Sequence, residues 1–189
     1  MKKRAFRIRE ARRADADGMA RVLFDCWQTN YRGIVPRAHL DAMTLAERKG
    51  TLLREFDWME QHADRAFFIA EAAGEIAGFV GGGKERGGHP DFDGELYGIY
   101  VAPHRQRAGL GRALFLHLVQ WLQSEGYTGF LLWTFRDNAP ARLFYEALGG
   151  RLLAERRRFE CAGAELDLVA YGWDDIAALI ETMEILLSR

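Results

Sequence analysis

The residues best placed to do chemistry run Ala102-Pro103-His104-Arg105-Gln106-Arg107-Ala108-Gly109-Leu110-Gly111-Arg112. A strand-like run over 94–101 leads into them and a helical run follows at once. Gly109 and Gly111 let backbone N–H groups approach a ligand with no Cβ in the way. The first turn of the following helix has unpaired N–H donors and the positive end of a dipole. Arg105, Arg107 and Arg112 add three cations, and no acidic residue occurs from Ala102 to Leu118. The chemistry this suits is the cradling of a pyrophosphate. Two other phosphate motifs fit less well. Residues 78–84 match G-x4-G-K, but Glu85 stands where a Ser or Thr would bind magnesium. That run reads as the glycine-rich end of a strand. The 106–112 stretch also lacks the G-x-G-x-x-G spacing of a dinucleotide fold.

A second charged stretch has the opposite sign. His89-Pro90-Asp91-Phe92-Asp93-Gly94-Glu95 enters the 94–101 strand, and Asp93 and Glu95 share a face at i, i+2. They either attract a cationic amine or serve the turn that precedes the strand. Five histidines are scattered with no metal spacing, so no metal is expected. Cys26 and Cys161 have no CxxC partner and read as reduced, buried thiols. Neither stands where a covalent acetyl-cysteine route would need it.

The elements that must position these residues follow from periodicity. Residues 5–10 alternate as a first strand. Asp15 can cap a helix whose stripe is Met19, Val22, Leu23, Cys26 and Trp27. Pro36 opens a short helix through Met43, and Thr44 with Glu47 forms a capping box for another running to Met59. Strands are expected at 67–70, 75–83, 94–101 and 130–134, with helices at 110–124 and 138–148. A last hairpin joins 151–159 to 165–171, and Asp174 caps a final helix bearing Ile176, Leu179, Ile180, Met183 and Leu187. The strand–helix–strand unit over 94–134 calls for a parallel pair.

The 189 residues suit one domain, 1–189, with 173–189 an added C-terminal helix. The net charge of −1 lacks the basic excess of a nucleic-acid-coating protein. No apolar run approaches a membrane span, and the basic N-terminus leads into no apolar core. A cytoplasmic protein acting without membrane or nucleic-acid partners is the expectation.

With these residues in view, the sequence resembles the GNAT superfamily of N-acetyltransferases over roughly residues 6–172. Gln106-Arg107-Ala108-Gly109-Leu110-Gly111 matches that family's acetyl-CoA signature, Q/R-x-x-G-x-G/A. Asn138 to Gly150 is similar to its N-x-x-A-x-x-[LF]-Y-x-x-x-G helix. Trp27-x-x-x-Tyr31-x-Gly33-x-x-Pro36 resembles a subgroup that includes some polyamine-acetylating enzymes. The fold so implied is α/β of the α+β type. Its sheet of about seven strands is mixed and mostly antiparallel, with helices on both faces, and it is splayed at the central parallel strand pair. The third and fourth strands part at a bulge, and the pantetheine arm lies in the gap.

The resemblance also implies roles. The donor is acetyl-CoA, held by the backbone at Ile99, Tyr100 and Val101, by the 106–112 loop (Gln106, Arg107, Ala108, Gly109, Leu110, Gly111, Arg112), and by Asn138 and Phe144. Tyr145 sits near the sulfur, and Glu95 occupies the place where family members often carry a base. An alkylammonium of pKa about 10 must lose a proton before it attacks, and a phenol of similar pKa suits protonation of a thiolate. Tyr145 is then the general acid and Glu95 the base. Trp27, Tyr31 and Asp93 form the acceptor side. The expected activity is direct acetyl transfer to a primary amine of a small molecule, polyamine-like in one reading, or of a peptide. The alternatives are an idle acyl-CoA-binding sensor and a protein N-terminal or lysine acetyltransferase. The last helix either packs on the fold or pairs with a second copy in a homodimer.

Overall fold

A computed structural model describes residues 6–187. Met1 to Ala5 and Ser188–Arg189 lie outside it, including the first residue of the expected 5–10 strand. The elements in order are β1 (Arg7–Glu10), α1 (Ala16–Asn30), α2 (Arg37–Ala42), α3 (Leu45–Met59), β2 (Arg65–Ala72), β3 (Glu75–Lys84), β4 (Gly94–Val101), α4 (Leu110–Ser124), β5 (Phe130–Phe135), α5 (Ala139–Ala147), β6 (Arg151–Cys161), β7 (Ala164–Trp173) and α6 (Ile176–Leu187). The strands form one sheet ordered β1-β2-β3-β4-β5-β7-β6. All neighbours are antiparallel except β4 and β5.

The parallel pair is short. Gly94, Glu95 and Leu96 pair with Phe130, Leu131 and Leu132, and beyond them the two strands separate. The splay thus falls at the central parallel pair, as expected, and only the placing of the gap between the third and fourth strands is corrected. β3 and β4 stay paired from Gly78↔Val101 to Lys84↔Gly94, and the register shift between Gly81 and Gly82 leaves Tyr97 as an extra residue in β4. The gap opens between β4 and β5 instead.

Each face of the sheet is covered. Leu114, Phe115, Leu118 and Leu122 of α4 pack on Leu96, Phe130 and Leu132, with Ile176, Leu179 and Met183 of α6 in the same core. Met19, Leu23 and Cys26 of α1 pack with Leu52 and Phe56 of α3 on Phe67, Ile69 and Phe79. Ile176, Leu179 and Met183 of the expected α6 stripe therefore pack on the fold itself, and the Leu187 side chain lies outside the described residues. The cap of α6 is Asp175, one residue later than expected: the Ala178 N–H donates to Asp175 Oδ1 at 3.0 Å, while Asp174 pairs with Arg151 at 2.7 Å. The Thr44–Glu47 capping box forms as its sequence requires, at 3.2 and 3.0 Å.

The glycines of β3 fill a packing need. A Cβ at Gly82 would stand 2.8 Å from Leu118, and one at Gly81 2.2 Å from the Phe67 ring. The run that resembled a nucleotide loop is strand, as the sequence suggested.

Candidate active site

Where β5 leaves β4, one edge of β4 loses its partner. The Ala102 N–H donates to Ala77 O at 2.9 Å, so residues 102, 100 and 98 direct their backbone groups to β3. Ile99 and Val101 must then direct theirs into the gap. The Val101 carbonyl is already engaged by the Cys26 thiol at 3.2 Å and by Gln106 Nε2 at 3.1 Å. The Val101 N–H and both backbone groups of Ile99 remain to serve a ligand lying in the gap.

The loop that follows carries the anion cradle. A short 3-10 turn over Pro103–Arg105 leads to Arg107 at φ 63° and Gly109 at φ 83°, both left-handed. Two left-handed residues so close together turn successive N–H groups toward one side, and α4 then starts at Leu110. The first turn-closing bond of the helix is the Ala113 N–H to Gly109 O, at 3.1 Å. The N–H groups ahead of it, from Arg107 to Arg112, are the donors a pyrophosphate needs. Gln106 ties this loop to the strand through Val101. Phe144 packs over Gly111, where an added Cβ would come within 3.3 Å of its ring. Asn138 caps α5 by accepting from the Ala141 N–H at 3.3 Å. A cavity of about 550 Å³ lies elsewhere, between the end of α5, Trp173 and α6, and meets the cradle only at Arg112.

The bulge at Tyr97 decides what faces the other side of the gap. In an unbroken strand Tyr100 would share a face with Leu96, under α4. The extra residue reverses the alternation. Ile99 and Val101 join Leu96 in the α4 core, and Tyr100 turns to the face covered by α1 and α3. Its ring lies across Gly98, where a Cβ would approach to 2.7 Å. Three phenols then converge: Tyr100, Tyr31 from the end of α1, and Tyr145 from α5, with Tyr100 raising the pKa of the other two. Burial is the main cause for each, with Tyr145 only 7% exposed, so all three stay protonated at neutral pH.

Trp27 stacks on Tyr31 at 4.7 Å between ring centroids, and Phe135 at the end of β5 packs edge-on to both. These rings roof the gap from the α1 side. Cys26 beneath them has its thiol pKa pushed up to about 12 by burial, and it acts as a hydrogen-bond donor.

The structure thus gathers Trp27, Tyr31, Tyr100 and Tyr145 around one gap, with Ile99 and Val101 at its edge and 106–112 beside it. Two expected residues go elsewhere. Asp93 accepts from the Thr128 N–H and Oγ1 and from the Gly129 N–H, at 3.0 to 3.2 Å. It clamps the turn before β5, roughly 20 Å along the strand from Tyr100. Glu95 is 3% exposed and both its oxygens face Arg86: Nη2 at 2.6 Å, Nε at 3.0 Å and the backbone N–H at 3.2 Å. Its lone pairs serve the 85–93 loop. Glu95 is thus paired with a cation and Asp93 is held by the backbone and hydroxyl of the turn before β5.

Known proteins are similar to this chain in sequence and fold. Residues 23–150 match the acetyltransferase (GNAT) family. The chain is 34% identical to the "Uncharacterized N-acetyltransferase YuaI" of Bacillus subtilis over 172 residues, 91% of this chain and 95% of that one. Among solved structures, a GNAT-family acetyltransferase from Desulfovibrio desulfuricans is 26% identical with a TM-score of 0.65, covering 91% of this chain and 99% of its own. The PaiA N-acetyltransferase of Thermoplasma acidophilum, solved with coenzyme A, has the same fold at 19% identity, with a TM-score of 0.68 over 89% and 99% of the two chains. No helix among the described residues is long and apolar enough to cross a membrane.

Proposed function

Because the chain belongs to the acetyltransferase (GNAT) family, we propose that it transfers an acetyl group from acetyl-CoA directly to a primary amine held beneath Trp27, Tyr31 and Tyr100. The observation that carries this reading is the β4–β5 gap itself. On one side it meets the N–H row at 107–112, suited to the pyrophosphate; on the other it meets a cluster of protonated phenols, suited to the reacting ends. The free Ile99 and Val101 backbone groups lie between them.

The residues divide the work as follows. The cradle and the β4 edge bind and orient the donor. A strand N–H in the gap holds the developing oxyanion, where fixed dipoles act without reorganising. The amine attacks as the free base, its N–C bond forming while the C–S bond breaks. Tyr145 gives its phenolic proton to the departing thiolate. Burial keeps that proton on the phenol at neutral pH. The nitrogen loses its surplus protons to solvent, and the phenolate recovers one. Glu95 holds Arg86 and takes no part in the proton transfer.

The test is release of coenzyme A thiol from acetyl-CoA across a panel of amines. Amine-dependent release supports the reading. Tight acetyl-CoA binding with no release on any amine would make the chain a binding module.

A further inference from the structure

Helix α5 carries Tyr145, yet burial does little to hold the helix in place. Of its nine residues only Tyr145 is buried. Hydrogen bonds supply the rest of its anchorage. The Tyr171 hydroxyl of β7 donates to Glu146 Oε1 at 2.5 Å and accepts from Arg142 Nε at 3.1 Å. Arg142 Nη1 also donates to the Arg136 carbonyl, just past β5, at 3.2 Å. At the end of the helix the Trp173 Nε1 donates to the Leu148 carbonyl at 2.9 Å. Arg142 and Glu146 stand at i, i+4 on α5, with Tyr145 between them in the chain.

Tyr171 stands where it can fix this helix against the gap. It is fully buried, and its own proton is committed to Glu146. On β7 it pairs with Leu132 of β5, and Leu132 is the last β5 residue paired to β4. The anchor is therefore beside the point where the gap opens. The Tyr171 and Tyr145 rings lie 6.0 Å apart between centroids, and the Trp173 ring meets Tyr145 edge-on at 6.5 Å. Proton donation needs donor and acceptor within about 2.6–3.2 Å, so a small rotation of α5 would take the Tyr145 phenol off the thiolate.

We infer that Tyr171 is a positioning residue for acetyl transfer: its hydroxyl, bridging Arg142 and Glu146, holds α5 at the angle that sets the Tyr145 proton at the departing sulfur. This rests on the role proposed above for Tyr145. The family match ends at residue 150, so the β7 half of the bridge lies outside it.

The experiment is a double-mutant cycle on kcat for amine-dependent release of coenzyme A thiol, using the wild type, Tyr171→Phe, Tyr145→Phe and the double variant. Tyr171→Phe keeps the ring and removes the bridge. Alone it should lower kcat about fivefold or more, with the KM for acetyl-CoA within about threefold. In the Tyr145→Phe background it should change kcat by less than about twofold, since the proton it sets is gone. An unaltered kcat in Tyr171→Phe overturns the inference. So does an equal loss in both backgrounds, which marks a general effect on the fold. Should Tyr171→Phe fail to fold, the exposed Glu146 gives a second route. Glu146→Leu should show the same non-additive loss, and Glu146→Gln, which keeps an acceptor oxygen, should recover most of it. Equal losses in those two variants overturn the inference. Failure of the underlying reading shows separately: a Tyr145→Phe kcat equal to that of the wild type, or no thiol release at all, refutes the role of Tyr145 and takes this inference with it.

Discussion

The carboxylate of Glu95 is gripped by Arg86 through both of its oxygens, with Nη2 at 2.6 Å and Nε at 3.0 Å. The strand position that the family resemblance assigned to a base is thus an anchor for the loop after β3. Arg86 continues over the Tyr97 ring, 3.9 Å from its centroid, so the pair also steadies the bulge that turns Tyr100.

If Glu95 is an anchor, Glu95→Gln should lower stability by roughly 1–3 kcal/mol, moderated because Arg86 can reach solvent. The pH dependence of kcat/KM should be untouched by the change. Its basic-going limb should follow the pKa of whichever amine is used, moving when the acceptor is exchanged. A limb that disappears in Glu95→Gln would restore Glu95 as the base.

The cradle makes a prediction that separates folding from binding. Gly109 sits at φ 83°, and a Cβ there meets no protein atom within 4 Å. Gly109→Ala should therefore cost the fold only about 1–2 kcal/mol of backbone strain. The methyl would intrude on the donor row, so acetyl-CoA affinity measured by calorimetry should fall about tenfold or more. Unchanged affinity would place the pyrophosphate elsewhere.

Cys26 should resist iodoacetamide at pH 8, since a thiol pKa pushed up to about 12 leaves almost no thiolate. Cys26→Ala should keep its activity, because Gln106 still holds the Val101 carbonyl. The same burial has a stability consequence. Cys26, Tyr31, Tyr100 and Tyr145 all have folded pKa values above their unfolded ones. The native state then binds more protons than the unfolded state once pH passes the unfolded values. Stability should be level through neutrality and fall above about pH 9. Denaturant midpoints across pH 7–11 check this, and Cys26→Ala should soften the first part of the decline.

Much of this was legible in the residues. Local signals act within a few positions, so the Thr44–Glu47 box, the glycine-broken 109–112 turn and the stripe of α1 read correctly. The loop over 106–112 and the helix start that follows it were legible for the same reason, being one continuous segment. What escaped was set by partners distant in sequence. For Asp93 and Glu95 a structural role was one of two readings, but the partners themselves, Thr128 and Arg86, carried no mark in the sequence. The bulge at Tyr97 has no local mark, yet that one extra residue moves Tyr100 from the α4 face to the acceptor face.

The most direct measurement is the kcat for amine-dependent release of coenzyme A thiol by Tyr145→Phe, beside that of the wild type. With Tyr145 as proton donor to the thiolate, kcat should fall about tenfold or more while the KM for acetyl-CoA stays within about threefold. An unaltered kcat, or a wild type that releases no thiol with any amine, would contradict the account.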